Sequence, residues 1–177
     1  MLIDFKSTPK NWKKSTVAEC CDILDSMRIP VNSDDRQNRK GDIPYYGANG
    51  QQGWIDDYIF DEELVLIAED GGNFDEYSTR PIAYRIQGKS WVNNHAHILR
   101  AKECTLNAWI FYNLVHRDIR QYIRGSTRAK LNQAELREIA IFLPPLPEQH
   151  RIAEILDTAD EAIRQSDALI AKLKQVR

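Results

Sequence analysis

The feature that most constrains this chain is a heptad pattern over its last residues, 143–177. A proline cluster opens this segment, and no proline or glycine follows Pro147. Apolar residues then recur at heptad spacing and form one stripe. The stripe consists of Ile152, Ile155, Leu156, Ala159, Ile163, Leu169, Ile170 and Leu173. We therefore predict a helix over residues 147–177, with Pro147 in its first turn.

The predicted helix is longer than a small domain is wide. At 1.5 Å per residue it measures about 45 Å, so part of it should project beyond its own domain. A projecting apolar stripe needs a partner, because burying each Leu or Ile stabilises a structure by about 1.5–3 kcal/mol. A helix folded back onto its own core is the alternative, but the length and the heptad order favour pairing with a second helix.

The residues before this helix predict an α+β domain over residues 1–145, followed by a helical region over residues 146–177. Apolar runs and alternation indicate strands at 64–68, 82–86, 95–99 and 138–143. Thr105 is expected to cap a helix with the face Leu106, Trp109, Ile110 and Leu114, continued by Ile119, Tyr122 and Ile123. Asn132 and Glu135 resemble a capping box.

Three further segments lack a clear periodicity. Residues 17–24 fit a short helix or a strand equally well. The polar composition of residues 28–42 predicts an exposed loop, and the glycines of residues 43–54 predict tight turns braced by aromatic side chains.

Composition limits the classes of function. The chain has 177 residues and a net charge of −2, so any contact with nucleic acid must come from a local basic patch. Three cysteines without a C-x-x-C pair indicate a reducing cytoplasm rather than a disulfide framework. We find no leader peptide, and no apolar run approaches the ~18 residues of a membrane span, so no membrane is expected.

The strongest local charge feature lies in residues 117–130. It places arginines and a lysine around Gly125, Ser126 and Thr127. Hydroxyls, backbone N–H groups and cations in one loop suit phosphate binding. The candidate phosphate-binding residues are Arg124, Ser126, Thr127, Arg128 and Lys130. The alternative is a solvated helix end followed by a turn.

Catalytic chemistry finds little support. The acidic stretch of residues 56–76 has no base, and its carboxylates lack the shared spacing of a Mg²⁺ site, so an acidic solvated edge is the simpler interpretation. His95 and His97 would share one face of a strand, but no third metal ligand is identifiable. Nucleophile and dinucleotide motifs are absent from the sequence. We therefore expect no catalytic residue, metal or cofactor.

Several segments together resemble the DNA-specificity subunit of type I restriction-modification systems. Residues 141–152 are similar to the family's I-x-L-P-P-L-x-E-Q-x-x-I segment, which opens its conserved spacer helix. Residues 125–132 resemble the glycine-hydroxyl-leucine segment before it. Residues 44–50 and 64–71 match a third region, and Trp12 falls where the family has an early tryptophan.

The resemblance implies a target-recognition domain that binds double-stranded DNA through loops in the major groove and carries out no chemistry. It also implies docking to methyltransferase (modification) subunits and, through them, to the restriction subunit. Candidate base-reading residues are Asn49, Gln51, Gln52 and Asn73, because carboxamides can pair with adenine. The alternative is that these amides only satisfy their own turns.

Family members usually carry two recognition domains and two helical regions, whereas this sequence holds one of each. Either it is a half-subunit that forms a homodimer through its helix, or it is the front half of a longer chain. Two other classes of protein remain: a metal-dependent DNA-cleaving enzyme, and a coiled-coil adaptor that does not bind DNA.

Overall fold

The fold is an α+β domain followed by one long helix, as the sequence predicts. The computed structural model describes residues 9–125 and 128–175. The strands are β1 (Lys13–Thr16), β2 (Cys21–Ile23), β3 (Ile43–Gly47), β4 (Gly50–Ile55), β5 (Phe60–Asp61), β6 (Leu64–Ala68), β7 (Ala83–Ile86), β8 (Lys89–Val92), β9 (Ala96–Ala101) and β10 (Ala140–Leu143). The α-helices are α1 (Val17–Cys20), α2 (Ser33–Asn38), α3 (Asn107–Leu114), α4 (Gln133–Arg137) and α5 (Leu146–Gln175), and 3₁₀ turns span Asp25–Met27 and Arg120–Tyr122.

The described strands form three sheets. The strand order is β2-β9-β6-β7 in an antiparallel sheet and β4-β3-β8-β5 in a mixed sheet, where β3 and β8 run parallel. Strand β1 pairs with β10, which brings the start of the described chain beside the segment that leads into α5.

Strand β6 explains why the chain contains a continuous apolar run. Its five residues are all buried, and alternate side chains serve two different cores. Val65 and Ile67 pack with α1, α3 and α4, whereas Leu64 and Leu66 pack toward the mixed sheet. Because both faces of β6 are covered, no polar residue interrupts its sequence.

Several local expectations need correction. Residues 17–24 form both elements, a helical turn and then strand β2. The segment expected to be a loop contains α2, with the Asn32 side chain accepting from the Asp35 N–H at 2.8 Å. Residues 43–54 form the hairpin β3–β4 rather than a series of turns. His95 lies before β9, so only His97 belongs to that strand.

The helix ends also differ from expectation. Thr105 does not cap α3, because its hydroxyl donates to the Gln149 side chain at 2.9 Å. Residues 119–123 form a separate 3₁₀ turn instead of continuing α3. Helix α4 begins after Asn132, but the Asn132 side chain does not cap it, so the predicted capping box is wrong.

Helix α5 is fastened to the domain by the Glu148-Gln149 pair in its first turn. Gln149 is fully buried, accepts from Thr105, and donates through Nε2 to the Pro144 carbonyl at 2.9 Å. Glu148 accepts from the Trp12 indole N–H at 3.1 Å. The pair that most resembled a family motif therefore joins the helix to the domain.

The second half of α5 extends away from the domain. Ile152 and Leu156 are half-buried, and Ile152 packs against the main core. Every described residue from 161 to 175 is exposed. The exposed members of the predicted stripe are Ile155, Ala159, Ile163, Leu169, Ile170 and Leu173. The expected projection of the helix is confirmed, and no described helix is long and apolar enough to cross a membrane.

Candidate nucleic-acid interface

Three segments that the sequence singled out separately meet at the end of strand β6. The first is the tip of the β3–β4 hairpin, where the Asn49 amide donates to the Gly71 carbonyl at 2.9 Å. The second is the turn after β6, in which Gly71 has a φ of +64°. The third is the basic loop, residues 124–130, whose Lys130 forms a β-bridge with Asp70.

The basic loop is closed by its own backbone. Arg124 and Lys130 exchange two backbone hydrogen bonds of 2.8 Å each, and Gly125 adopts a φ of +88° that favours glycine. The Leu131 N–H then donates to the Glu69 carbonyl at 2.8 Å. Ser126 and Thr127, the predicted hydroxyl donors, lie outside the described residues.

Each predicted cation of the basic loop is paired with a carboxylate. Arg124 lies 3.1 Å from Glu135, and Arg128 lies 2.8 Å from Asp70. Lys130 lies 3.0 Å from Glu69. The Arg128 side chain is 65% exposed, so its ion pair is screened by water and contributes at most about 1 kcal/mol. An approaching phosphate could therefore replace Asp70 at little cost.

A network of buried polar groups lies beneath the basic loop. His97 contacts Asp25 through Nδ1 at 2.6 Å and the Leu131 carbonyl through Nε2 at 2.7 Å. Gln133 donates to Asp25 at 2.9 Å, and Arg28 donates to Glu69 at 2.6 Å. These contacts connect the basic loop and α4 to the sheet that contains β6 and β9, so they hold the loop in position on the domain.

The two acids of this network are held in the charged form. Burial of Asp25 opposes ionisation, but hydrogen bonds from His97, Gln133 and the Ile98 N–H outweigh it and lower the pKa of Asp25. Burial acts on Glu69 in the same sense, and hydrogen bonds from Arg28 and Lys130 leave the pKa of Glu69 below its ordinary value. Both carboxylates therefore stay ionised at neutral pH.

Among the described residues, the group of carboxylates and histidine that comes nearest to a metal site belongs to the same network. Ligand atoms of Asp25, Glu69 and His97 lie within 4.8 Å of one another. The Arg28 guanidinium already fills the position of the cation, at 2.6 Å from Glu69 and 3.6 Å from Asp25. The arrangement is thus a satisfied salt-bridge network.

Each predicted base-reading side chain makes one hydrogen bond to another residue in the described part of the chain. Gln51 donates to the Gly53 carbonyl at 3.1 Å, and Asn73 donates to the Pro81 carbonyl at 3.2 Å. The oxygen of Gln52 accepts from Asn93 at 3.1 Å. Together with Asn49, these amides use part of their hydrogen-bonding capacity internally, and Asn49, Gln51 and Gln52 are exposed.

Sequence reasoning missed the residues that hold this surface in place. Arg28 lies in a polar segment and its partner Glu69 is 41 residues away, so no local pattern connects them. The buried Asn93 donates a hydrogen bond to Gln52, which is also 41 residues away in the sequence. His97 of the buried network carried a visible signal, as a histidine within an apolar strand pattern.

Comparison with known proteins identifies the family. The family model for the type I restriction modification DNA specificity domain matches residues 9–175. A Haemophilus influenzae protein described as type I restriction enzyme specificity subunit S.HindORF215P is 40% identical over 147 residues, which is 82% of this chain and 36% of the relative. The Escherichia coli EcoprrI specificity subunit is 26% identical over 163 residues, or 90% of this chain and 38% of that protein.

A solved structure shares the fold. The S subunit of a type I restriction-modification system from M. genitalium superposes with a TM-score of 0.69 at 18% identity, covering 90% of this chain and 42% of that one. This chain thus spans well under half the length of the relatives it matches. Because the family model covers every described residue, the chain belongs to the type I restriction-modification DNA specificity family.

Proposed function

We propose that this chain is a DNA-recognition unit of a type I restriction-modification system. Residues 1–145 form a target-recognition domain that binds one half of a bipartite double-stranded DNA target. Residues 146–177 form the spacer helix that sets the distance to the other half. The unit works in the cytoplasm and has no chemistry, metal or cofactor of its own.

The observation that carries this proposal is the meeting of the hairpin tip, the β6 turn and the basic loop on one surface. Asn49, Gln51 and Gln52 offer hydrogen-bonding groups for base edges, whereas Arg124, Arg128 and Lys130 offer charge for phosphates. Asn73 lies in the adjoining turn. Ser126 and Thr127 belong to the same loop in the sequence and complete the proposed phosphate contacts.

The salt dependence of DNA binding tests the role of the basic loop. The double variant Arg128→Ala/Lys130→Ala should bind every duplex more weakly, and the slope of log K against log salt should fall by about two, because two phosphate contacts are lost. A gel shift with random-sequence duplex at several salt concentrations measures this slope.

A matched control removes the same charge elsewhere. Lys172→Ala/Lys174→Ala takes two cations from the far end of α5, where both are exposed, and should leave the slope unchanged. Equal slopes for all three proteins would contradict the phosphate role of the loop. If the unaltered chain binds no duplex, the adaptor interpretation replaces DNA recognition.

The exposed half of α5 supports the proposed partners. Its apolar stripe pairs with a second helix, which comes from another copy of the chain or from the second half of a longer chain. Methyltransferase subunits dock on the paired unit, and the restriction subunit binds through them. Ile163 and Ile170 are 59% and 48% exposed. Ile163→Asp/Ile170→Asp should therefore abolish self-association without unfolding the domain. Analytical sedimentation measures the association state.

The control for this experiment uses the same helix. Thr158→Asp/Gln165→Asp adds the same charges at exposed positions outside the apolar stripe and should leave association unchanged. Methyltransferase subunits added to the unaltered chain should co-sediment with it. A chain that is monomeric at every concentration would favour pairing with a second half instead of a second copy.

A further inference from the structure

The Gln52 side chain is held in a direction that the sequence does not predict. Tyr45 pairs with Gly53 and Tyr46 pairs with Gln51, so Gln52 is the extra residue of a β-bulge in the hairpin. A bulge turns a side chain away from the regular alternation of a strand. Here it directs an exposed glutamine toward the buried Asn93.

A chain of hydrogen bonds determines which end of the Gln52 amide faces the protein. The His95 backbone N–H can only donate, and it lies 2.8 Å from Oδ1 of Asn93. The other end of Asn93 is therefore its Nδ2, which donates to Oε1 of Gln52 at 3.1 Å. It follows that Nε2 of Gln52 points away from Asn93, and no described residue accepts a hydrogen bond from it.

The surroundings fix this orientation further. Asn93 is 5% exposed, and its backbone N–H donates to the Tyr46 carbonyl at 3.0 Å, so it cannot follow a moving side chain. Gln52 lies across Gly47, where an added Cβ would overlap its carboxamide. The Tyr84 hydroxyl donates to the Gly47 carbonyl and holds that strand in place.

We propose that Gln52 is a specificity-determining residue that presents only N–H donors to DNA and selects a keto base, guanine or thymine, at one position of the target. This inference rests on the proposed function. In the major groove guanine offers O6 and thymine offers O4 as acceptors, whereas adenine and cytosine place an amino donor there, which would oppose the Nε2 donor of Gln52. The N7 acceptor is common to both purines, so the discrimination comes from the keto and amino positions. Bidentate pairing with adenine, which the sequence suggested for Gln52, would also use the amide oxygen, and that oxygen already accepts from the buried Asn93.

Two substitutions should reverse the preference by different routes. Gln52→Glu keeps an oxygen for Asn93 and replaces the outward donor by an acceptor, so the preferred base at that position should become adenine or cytosine. Asn93→Asp still accepts from the His95 N–H but can no longer donate. Gln52 should then rotate to donate to the new carboxylate and present Oε1 outward, which reverses the preference without altering the residue that contacts DNA.

The experiment selects bound sequences from a randomised duplex library with the full chain and its variants. The unaltered chain should enrich a keto base at one position by about tenfold over an amino base, within the usual effect of one mismatched contact. Gln52→Glu and Asn93→Asp should both enrich an amino base there. Gln37→Glu is the matched control, since it adds the same charge at an exposed glutamine of α2, outside the proposed DNA surface, and should leave the enriched sequence unchanged.

The outcomes separate the two proposals. If the unaltered chain enriches no sequence, the proposed function fails and this inference fails with it. If it enriches a sequence that Gln52→Glu leaves unchanged, DNA recognition stands and the role of Gln52 is wrong. Because Gln52 is exposed, that variant should fold, and circular dichroism of Asn93→Asp distinguishes an unfolded protein from a rotated amide.

Discussion

Two buried polar residues join parts of this protein to the rest of the domain, and their partners differ in kind. Gln149 holds α5 through a hydroxyl and backbone carbonyls, all of them neutral. Asp25 holds the structure beneath the basic loop through His97, Gln133 and a backbone N–H, so this junction contains a buried charge. A neutral junction is insensitive to pH, whereas a charged one depends on it.

The largest change in the unfolding free energy should come from removing the charge of Asp25, at the centre of the charged junction. Asp25→Ala leaves His97 and the Ile98 N–H buried without their acceptor, and should destabilise the domain by about 3–5 kcal/mol at neutral pH. Denaturant unfolding measures this loss. Asp34→Ala, a change of the same kind in exposed α2, should alter the unfolding free energy far less.

A smaller loss of unfolding free energy is expected at the neutral junction, where Gln149 holds α5. Gln149→Ala removes three hydrogen bonds but no charge, and should cost about 1–3 kcal/mol because the Thr105 hydroxyl and two carbonyls lose their partner. His150→Ala alters the exposed neighbour and is the control. If the two substitutions lower the unfolding free energy equally, Gln149 does not anchor the helix.

Acidification should separate the two junctions. The folded-state pKa values of Asp25 and Glu69 are lowered from 3.8 and 4.5, so their contribution is present above these values and is lost as the pH falls through the lower folded-state values. The unfolding free energy should decrease by up to about 1.4 kcal/mol per pH unit for each proton taken up. The slope should flatten in Asp25→Asn and persist in Gln149→Ala. A slope unchanged by Asp25→Asn would show that other groups cause the acid sensitivity.

The smallest effect on stability should come from the exposed ion pair above the charged junction. Arg128→Ala breaks a contact with Asp70 in which the arginine side chain is 65% exposed, and should change the unfolding free energy by less than about 1 kcal/mol. The measurement is again denaturant unfolding, compared with Asp25→Ala. A loss as large as that of Asp25→Ala would mean that the loop cation is structural and not available to a phosphate.

The sequence predicted those elements whose signal is carried by neighbouring residues. Helix α5 follows from heptad spacing, and β6 follows from an apolar run that ends in a turn. The basic loop was predicted from its cations, glycine and hydroxyls, and its phosphate role stays a prediction. In these cases the residues that determine the structure lie within a few positions of one another.

The sequence did not predict the features that depend on distant partners. Thr105 looked like a helix cap because the sequence does not place it beside Gln149, 44 residues later. Helix α2 was missed because its residues are polar throughout and none is buried. The orientation of Gln52 depends on Asn93 and on the space above Gly47, and neither relation leaves a periodic pattern.

Strand β4 has a hydrogen-bonded neighbour, β3, on only one side within the described sheet. Three of its side chains, Gln51, Gln52 and Trp54, are exposed, and its core contact is made by Ile55. Substitutions at Gln51 and Trp54 therefore leave the cores and the inner strands intact, and so do substitutions at Gln52 that keep an acceptor for Asn93. Under the proposed function, changes at this border of the domain would alter the preferred target while the scaffold stays the same.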